Sequence, residues 1–222
     1  MQAKKTKNDI SDRELLRYNR HIVLPEIDIN GQLALSSAKV GIIGLGGLGC
    51  PVATYLAAAG IGTLYLFDHD SISLSNLNRQ VLFTEDDVSK KKVVAAKERL
   101  LDLNSAINVQ NFDEEINRKS DIKLFEDCNV IIDCTDNFKT RALINDISIK
   151  LKIPLITGAA LKFEGQIAVF RNDTNNMPCY RCLYPDLPNI ANSCVDSGIL
   201  GSVTGFVGTA LATESIKLIC SF

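Results

Sequence analysis

Short apolar runs alternate with segments of helical spacing along most of the chain. Apolar runs of strand length occupy residues 39–43, 64–67, 130–132, 154–156 and 166–170, and residues 108–114 are a further strand candidate. Helical spacing predicts helices over residues 52–59, 89–103, 139–151 and 208–219, and a capping-box pattern from Ser11 to Glu14 predicts a first helix through about Tyr18. This alternation predicts an α/β fold: a doubly wound, mainly parallel sheet, Rossmann-like, with helices on both faces.

Composition adds limits to this picture. The 222 residues contain no repeat, low-complexity tract or linker-like segment, so we expect a single domain over residues 1–222, with a flexible polar tail at 1–10. A formal net charge of -2 argues against a nucleic-acid or membrane-surface role, and no apolar run approaches the roughly 18 residues of a membrane span. Seven cysteines at irregular spacing argue against a disulfide framework and favour a reducing, cytoplasmic location.

The segment from Gly44 to Gly49 reads GLGGLG and matches the G-x-G-x-x-G pattern between a predicted strand and a predicted helix. Glycines such as Gly44, Gly46 and Gly47 permit a tight turn and let a phosphate approach the backbone, where N–H groups at the helix N-terminus can bind it. The alternative is a glycine-rich turn that binds no ligand. The pattern alone does not distinguish NAD, FAD and ATP.

Charged residues beyond the glycine loop distinguish these ligands better. Asp68 ends the second predicted strand, where a carboxylate is expected to bind a ribose hydroxyl of any adenosine ligand. A triphosphate carries more charge than a dinucleotide pyrophosphate and usually needs side-chain cations and Mg²⁺. Arg79 could bind phosphate oxygens through paired hydrogen bonds, and Lys92 could act as a point charge. Taken singly, each would be interpreted as a surface residue, and composition does not choose among Lys90, Lys91 and Lys92.

Two carboxylates, Asp133 and Asp136, follow the apolar run at 130–132 and therefore lie at the carboxyl end of a predicted buried strand. Oxygen ligands in such a place suit Mg²⁺, bound directly or through water. We expect Asp136 to hold that ion. The alternative is that Asp136 only caps the helix that follows.

Six segments that occur in order carry a resemblance to a known family. They are Arg17-Tyr18-Asn19-Arg20, the GLGGLG loop, Asp68-x-Asp70, Ser75-Asn76-Leu77-x-Arg79-Gln80, Asp133-Cys134-Thr135-Asp136-Asn137 and Cys179-Tyr180-Arg181-Cys182. Together they strongly resemble the MoeB/ThiF/HesA family, relatives of the ubiquitin-activating enzymes, from roughly residue 15 to the C-terminus. The resemblance implies a ThiF-type adenylation domain that uses ATP to adenylate the C-terminal glycine of a ubiquitin-like sulfur-carrier protein, MoaD-like or ThiS-like, and releases pyrophosphate.

The same resemblance implies roles for particular residues. Those expected to contact ATP are Gly47, Asp68, Ser75, Asn76, Leu77, Asn78, Arg79, Lys92, Asp136 and Asn137. Asp136 is tied to Mg²⁺ and to the chemistry, in which Arg79 and Lys92 neutralise phosphate charge. Arg20 reaches across a homodimer interface toward the phosphates of the other subunit, whereas the sequence alone would make it an exposed arginine at a helix end. The implied partner is a carrier that ends in Gly-Gly.

Two cysteine sites are also implied. Cys179 and Cys182 have the spacing of half a tetrahedral zinc site. The family completes this site with a second cysteine pair near the C-terminus, whereas this sequence stops at Phe222 with Cys220 alone, so we expect weak or absent zinc. Cys194 matches the position of an acyl- or persulfide-linked cysteine in ThiF-type members, which implies thiol transfer. The alternative is an ordinary loop thiol.

Two functions from other classes stay open at this point. An NAD-dependent oxidoreductase would use the glycine loop and Asp68, but it would leave Arg79, Lys92 and Asp136 without a joint purpose. A non-catalytic scaffold that binds the carrier would also contain the segments quoted above. Pyrophosphate exchange and nucleotide binding distinguish these functions from adenylation.

Overall fold

The computed structural model describes residues 10–117, 122–185 and 198–222. Its strands are β1 (Lys39–Ile43), β2 (Thr63–Phe67), β3 (Asn108–Phe112), β4 (Val130–Asp133), β5 (Leu155–Leu161) and β6 (Glu164–Phe170). They form a six-stranded sheet in the order β3-β2-β1-β4-β5-β6. The neighbours from β3 to β5 pair in parallel, and β6 is antiparallel to β5. The predicted doubly wound, mainly parallel sheet is therefore confirmed.

Helices connect and cover these strands. They are α1 (Asp12–Arg17), α2 (Asn19–Ile22), α3 (Asp28–Ser37), α4 (Gly49–Ala59), α5 (Lys92–Leu103), α6 (Phe138–Leu151), α7 (Tyr180–Leu183) and α8 (Gly201–Cys220). The predicted capping box opens α1: the Ser11 hydroxyl accepts the Glu14 N–H, and the Glu14 carboxylate accepts the Ser11 N–H at 2.8 Å. This reciprocal pair satisfies donors that a helix start leaves free.

The two faces of the sheet bury separate hydrophobic cores. Alternate residues of a strand point to opposite faces, so Val40 and Ile42 enter the first core and Ile43 enters the second. The first core also contains side chains of α4, α5 and α8, and the second contains side chains of α6 and α7. A parallel sheet covered on both sides leaves the ends of its strands as the place for a ligand.

The sequence-based boundaries differ from the structure mainly at helices. Helix α3 was not predicted, α5 begins at Lys92 instead of residue 89, and α8 begins at Gly201 instead of residue 208. Glycine is a poor helix former, so the sequence pattern did not indicate the first two turns of α8, which contain several glycines. The structure shows why glycine is there: a Cβ on Gly201 would lie 2.3 Å from the Asn78 carbonyl oxygen, and one on Gly208 would lie 2.5 Å from that of Leu48.

Helix α8 corrects one expectation about membrane spans. It has 20 residues and a mean hydropathy of 1.3, which by length and composition alone would allow it to cross a membrane. However, Leu211 and Ala212 are buried in the first core, and the helix packs against α4, β5 and β6. A core helix of a soluble domain has the same composition, so hydropathy by itself is weak evidence for a span.

Candidate functional site

The glycine loop connects β1 to α4 at the carboxyl end of the sheet. Gly44 has a φ of 90°, in the region that favours glycine, and its N–H donates to the Phe67 carbonyl at 2.8 Å. A Cβ on Gly49 would lie 1.9 Å from the Gly44 carbonyl oxygen, so this turn closes only around glycine. A Cβ on Gly46 would meet no heavy atom within 4 Å. The loop is therefore tight at its two ends and open at Gly46, where a phosphate could approach the backbone.

Asp68 joins the end of β2 to the glycine loop. One carboxylate oxygen accepts the Leu45 N–H at 2.7 Å and the other accepts the Asp70 N–H at 2.8 Å. The side chain is 9% exposed. A carboxylate has about four lone-pair sites, so Asp68 can hold the loop and still accept a ribose hydroxyl.

Of the three adjacent lysines at residues 90–92, Lys92 is the one with a buried side chain. It is 5% exposed, and its Nζ lies 2.7 Å from Asp70 Oδ2 and 3.8 Å from Asp68 Oδ2. Lys90 pairs with Asp87 at 2.8 Å, whereas the Nζ of Lys91 pairs with Asp113 at 3.0 Å and donates to the His69 carbonyl at 2.8 Å. Burial acts to raise the pKa of Asp70, but the hydrogen bond and charge of Lys92 outweigh it and lower that pKa below its ordinary value.

Arg79 lies in the segment that follows Asp70. Its Nη1 donates to the Ser75 carbonyl at 2.9 Å and to Asn78 Oδ1 at 3.1 Å. Guanidinium has five N–H donors, so Nη2 and Nε remain able to bind phosphate oxygens. The Ser73 N–H donates to Asn76 Oδ1 at 3.1 Å, which fixes the turn before Arg79.

The first turn of α8 lies between this segment and the glycine loop. Gly201 packs against the carbonyl of Asn78, and a Cβ on Gly47 would lie 3.0 Å from the side chain of Thr204. Leu77 is half-buried, and its side chain packs against the first core. Helix α8 therefore contacts both the glycine loop, at Gly47, and the segment that contains the predicted ATP contacts Asn78 and Arg79.

Three polar residues at the end of β4 and just after it have different roles. Asp133 is fully buried, and its oxygens accept the Thr135 N–H at 2.9 Å and the Thr157 hydroxyl at 3.0 Å. Asn137 caps α6 by accepting the Thr140 N–H at 2.8 Å. Asp136 is exposed, and no hydrogen bond or ion pair engages its carboxylate within the described ranges. The alternative in which Asp136 caps the helix is thus wrong, because Asn137 does so.

The exposed carboxylate of Asp136 could serve as one ligand of a magnesium ion that is bound together with a nucleotide. Mg²⁺ in proteins is commonly held by one or two carboxylates plus substrate phosphates. In the part of the chain that the structure describes, the side chains of Asp68, His69 and Asp70 bring their ligand atoms within 4.8 Å of one another. Lys92 already neutralises that cluster, which makes Asp136 the better candidate for the ion.

Arg20 follows a segment that packs against the C-terminal end of α4. It is exposed on α2, next to Tyr18, whose hydroxyl accepts a hydrogen bond from Asn104 at 3.0 Å and contacts Gly60. Gly60 follows the C-terminal end of α4, whereas the glycine loop precedes its N-terminal end. Eleven residues separate these ends by about 16 Å, so Tyr18, two residues before Arg20, packs at the end of α4 opposite the glycine loop.

The two cysteines of the Cys179–Cys182 pair lie close together at the start of α7. Their sulfurs are 3.7 Å apart, compared with the about 3.8 Å expected for two sulfurs that share a tetrahedral zinc. Burial acts to raise the pKa of Cys179, but N–H groups of Cys182 and Arg181 point at its sulfur and lower that pKa overall. Cys220 packs against the first core, on the opposite face of the sheet from α7. Cys194 lies outside the described residues.

Known proteins resemble this chain in sequence and in structure. A model of the ThiF family matches residues 18–222. The adenylyltransferase and sulfurtransferase MOCS3 of Culex quinquefasciatus is 42% identical over 212 residues, which cover 95% of this chain and 48% of that protein. The adenylyltransferase and sulfurtransferase uba4 of Ogataea parapolymorpha is 40% identical over 215 residues, covering 96% and 55%. The chain thus spans about half the length of the curated relatives that it matches.

Solved structures agree with these relatives. A crystal structure of PaaA has a TM-score of 0.80 and 28% identity, with 99% of this chain and 69% of that chain covered. E. coli MccB, solved with ATP, has a TM-score of 0.78 and 25% identity, with 96% and 72% covered. Because the family model covers nearly the whole chain, including every segment of the site, the protein belongs to the ThiF family.

Proposed function

We propose that the protein uses ATP to adenylate the C-terminal glycine carboxylate of a ubiquitin-like sulfur-carrier protein, with release of pyrophosphate. The observation that carries the proposal is the buried ammonium of Lys92 at the strand ends, beside a glycine loop that is open at Gly46. Together with Arg79 it provides the cations that a triphosphate needs and a dinucleotide does not. The names of the relatives, which are adenylyltransferases and sulfurtransferases, support the same reaction.

The chemistry follows from the charges of the reactants. An oxygen of the glycine carboxylate attacks the α-phosphorus, the bond from that phosphorus to the bridging oxygen breaks, and pyrophosphate leaves with the electron pair. Both reactants are anions, so the main task is to lower their repulsion. Lys92, Arg79 and the N–H groups at the start of α4 bind phosphate oxygens, while Asp68 accepts a ribose hydroxyl. No side-chain nucleophile is required.

A divalent cation belongs to this proposal for a reason of charge. The carboxylates of Asp68, Asp70 and Asp136 outnumber the cations of Lys92 and Arg79, so the site without a metal would repel a triphosphate. Mg²⁺ held by Asp136 would reverse that balance and neutralise charge on the phosphates. The free, exposed carboxylate of Asp136 supports this role.

The test is ATP–pyrophosphate exchange with a panel of carriers that end in Gly-Gly. Lys92→Met should lower the exchange rate by about a hundred- to a thousand-fold, the usual effect of losing one preorganised charge. Lys90→Met is the matched control, because Lys90 belongs to the same lysine run but pairs with Asp87 and not with Asp70, and its exchange rate should stay close to that of the wild type. NADH binding without ATP binding would refute adenylation, and ATP binding without exchange would favour a scaffold.

We further propose that the active form is a homodimer in which Arg20 serves the site of the partner subunit. The position of Arg20 just after a segment that packs against the C-terminal end of α4 supports this arrangement, because an exposed arginine there is free to reach another molecule. Exposed apolar side chains near it, Val23 and Leu24, are 71% and 45% exposed and suit an interface.

The cysteines complete the proposal. The spacing of the Cys179–Cys182 pair and the lowered pKa of Cys179 suit two of the four ligands of a zinc ion. Weak or absent zinc binding stays a prediction that elemental analysis of the purified protein will test. Thiol transfer by Cys194 also stays a prediction. Free thiols at Cys50, Cys128 and Cys134 support the proposed cytoplasmic location.

A further inference from the structure

A buried arginine behind the site has no role in the mechanism described above. Arg141 lies in the first turns of α6 and is 8% exposed. Its Nη2 donates to the carbonyl oxygens of Thr135 and Gly158, the latter at 2.8 Å, and its Nη1 donates to the Thr157 hydroxyl at 3.3 Å. A buried guanidinium is costly unless its donors are satisfied, and here these acceptors bind three of its five N–H groups.

One of these acceptors has a special position. The Thr135 carbonyl belongs to the peptide bond that joins Thr135 to Asp136. From the other side, the Thr135 N–H and hydroxyl donate to Asp133 Oδ1 at 2.9 and 2.7 Å. The next residue, Asn137, is fixed as the cap of α6. The backbone of Asp136 is therefore held before and after the residue, while its carboxylate is free.

Stability alone does not account for this network. Arg141 and Asp133 are both buried and share the hydroxyl of Thr157, but buried charged networks are often no more stable than apolar side chains of the same volume. An apolar side chain could fill the space, yet it could not hold the Thr135 carbonyl. The specific contribution of Arg141 is thus the orientation of one peptide plane.

We propose that Arg141 is a positioning residue that fixes the Thr135–Asp136 peptide and thereby the orientation in which Asp136 meets the metal–nucleotide complex. This inference rests on the proposed function, because that function assigns Mg²⁺ to Asp136. Partners that orient a metal ligand typically contribute about 10–100-fold to metal affinity or activity. Arg141 does this through a backbone carbonyl, not through the carboxylate itself.

The experiment measures ATP binding by calorimetry, with and without Mg²⁺, for the wild type, Arg141→Met, Asp136→Ala and the double variant. Arg141→Met should weaken ATP binding by about 10–100-fold with Mg²⁺ and by less than about twofold without it. The double variant should bind no more weakly than Asp136→Ala, because both changes remove the same contribution. Thr157→Val is the control, since it alters the network but leaves the bond from Arg141 to Thr135.

Several outcomes would overturn the inference. Equal losses of ATP affinity with and without Mg²⁺ would show that Arg141 has a merely structural role. Additive losses of ATP affinity in the double variant would show that the two residues act independently. An unchanged Mg²⁺ dependence of ATP binding in Asp136→Ala would show that Asp136 is not the metal ligand that Arg141 is proposed to orient. If Arg141→Met does not fold, Arg141→Lys replaces it, because one ammonium can still reach a carbonyl and should retain part of the Mg²⁺ effect. If the effects of Arg141→Met and Asp136→Ala on ATP binding remain coupled but the protein does not catalyse pyrophosphate exchange, only the proposed function is overturned.

Discussion

The glycine loop allows a paired test, because two of its glycines have opposite surroundings. A Cβ on Gly49 would lie 1.9 Å from the carbonyl oxygen of Gly44, whereas a Cβ on Gly46 would have open space around it. Neither residue has a positive φ, so alanine is not strained by conformation at either position. We predict that Gly49→Ala damages the turn, whereas Gly46→Ala leaves the fold intact and obstructs the phosphates.

The expected magnitudes follow from these distances. In Gly49→Ala, two backbone segments must separate by roughly 1.5 Å before the new methyl reaches ordinary contact at 3.4 Å. Overpacking of this kind costs about 1–3 kcal/mol, and we expect the upper end because both segments are backbone. In a chain of this size, about 3 kcal/mol lowers the melting temperature by roughly 6–12 °C. For Gly46→Ala we expect a change of less than about 2 °C.

Two measurements check the pair: thermal unfolding by calorimetry, and ATP titration in the presence of Mg²⁺. Loss of a hydrogen bond to a charged group costs about 1.5–3 kcal/mol, so Gly46→Ala should bind ATP about 10–150-fold more weakly. Gly205→Ala is the control, since a Cβ there also meets nothing within 4 Å but lies on α8, and it should bind ATP like the wild type. Wild-type ATP affinity in Gly46→Ala, or an unchanged melting temperature in Gly49→Ala, would refute the reasoning.

Four further predictions follow from the site. Asn137→Ala should lower the free energy of unfolding by about 1 kcal/mol by removing the cap of α6, whereas Asp136→Ala should abolish exchange at an unchanged melting temperature. Burial acts to raise the pKa of Asp87, but hydrogen bonds from neighbouring cations and a threonine hold that pKa well below its ordinary value. The ionised carboxylate of Asp87 therefore stabilises the folded state at neutral pH, and this contribution is lost as the pH falls below about 4. The difference in unfolding free energy between wild type and Asp87→Asn should therefore shrink between neutral pH and acid, and a constant difference would contradict this. Cys194→Ala should retain exchange, because attack on phosphorus needs no thiol, and a loss as large as that of Asp136→Ala would show otherwise. Mixing Arg20→Ala with Asp136→Ala chains should restore part of the activity, and no recovery after confirmed subunit exchange would remove Arg20 from the partner's site.

The sequence by itself determined the sheet and predicted the edge of the sheet at which a ligand would bind. Strands β1, β2 and β4 are short, apolar and bounded by charged or glycine residues, and such patterns depend on burial more than on particular neighbours. The capping box at Ser11 and the glycine loop were also predictable, because each is completed within a few residues of chain. Asp68 and Asp136 followed from their position after strands, since the carboxyl ends of parallel strands meet at one edge.

The tertiary structure alone decided what depends on contacts between distant segments. It selected Lys92 over Lys90 and Lys91, because the direction of each side chain is set by its partners: Asp70, Asp87 and Asp113 respectively. It extended α8 to Gly201, where close packing outweighs the low helix propensity of glycine.

The roles of neighbouring polar residues were also decided by tertiary contacts. Asn137 caps the helix and leaves Asp136 free, a division that two adjacent polar residues do not reveal in sequence. Arg141 gave no signal in the sequence, since its acceptors Thr157 and Gly158 lie on β5, a different strand. Hydrophobic pattern fixes which elements form because burial is a property of each segment, whereas hydrogen bonds and ion pairs are properties of pairs that only the folded chain brings together.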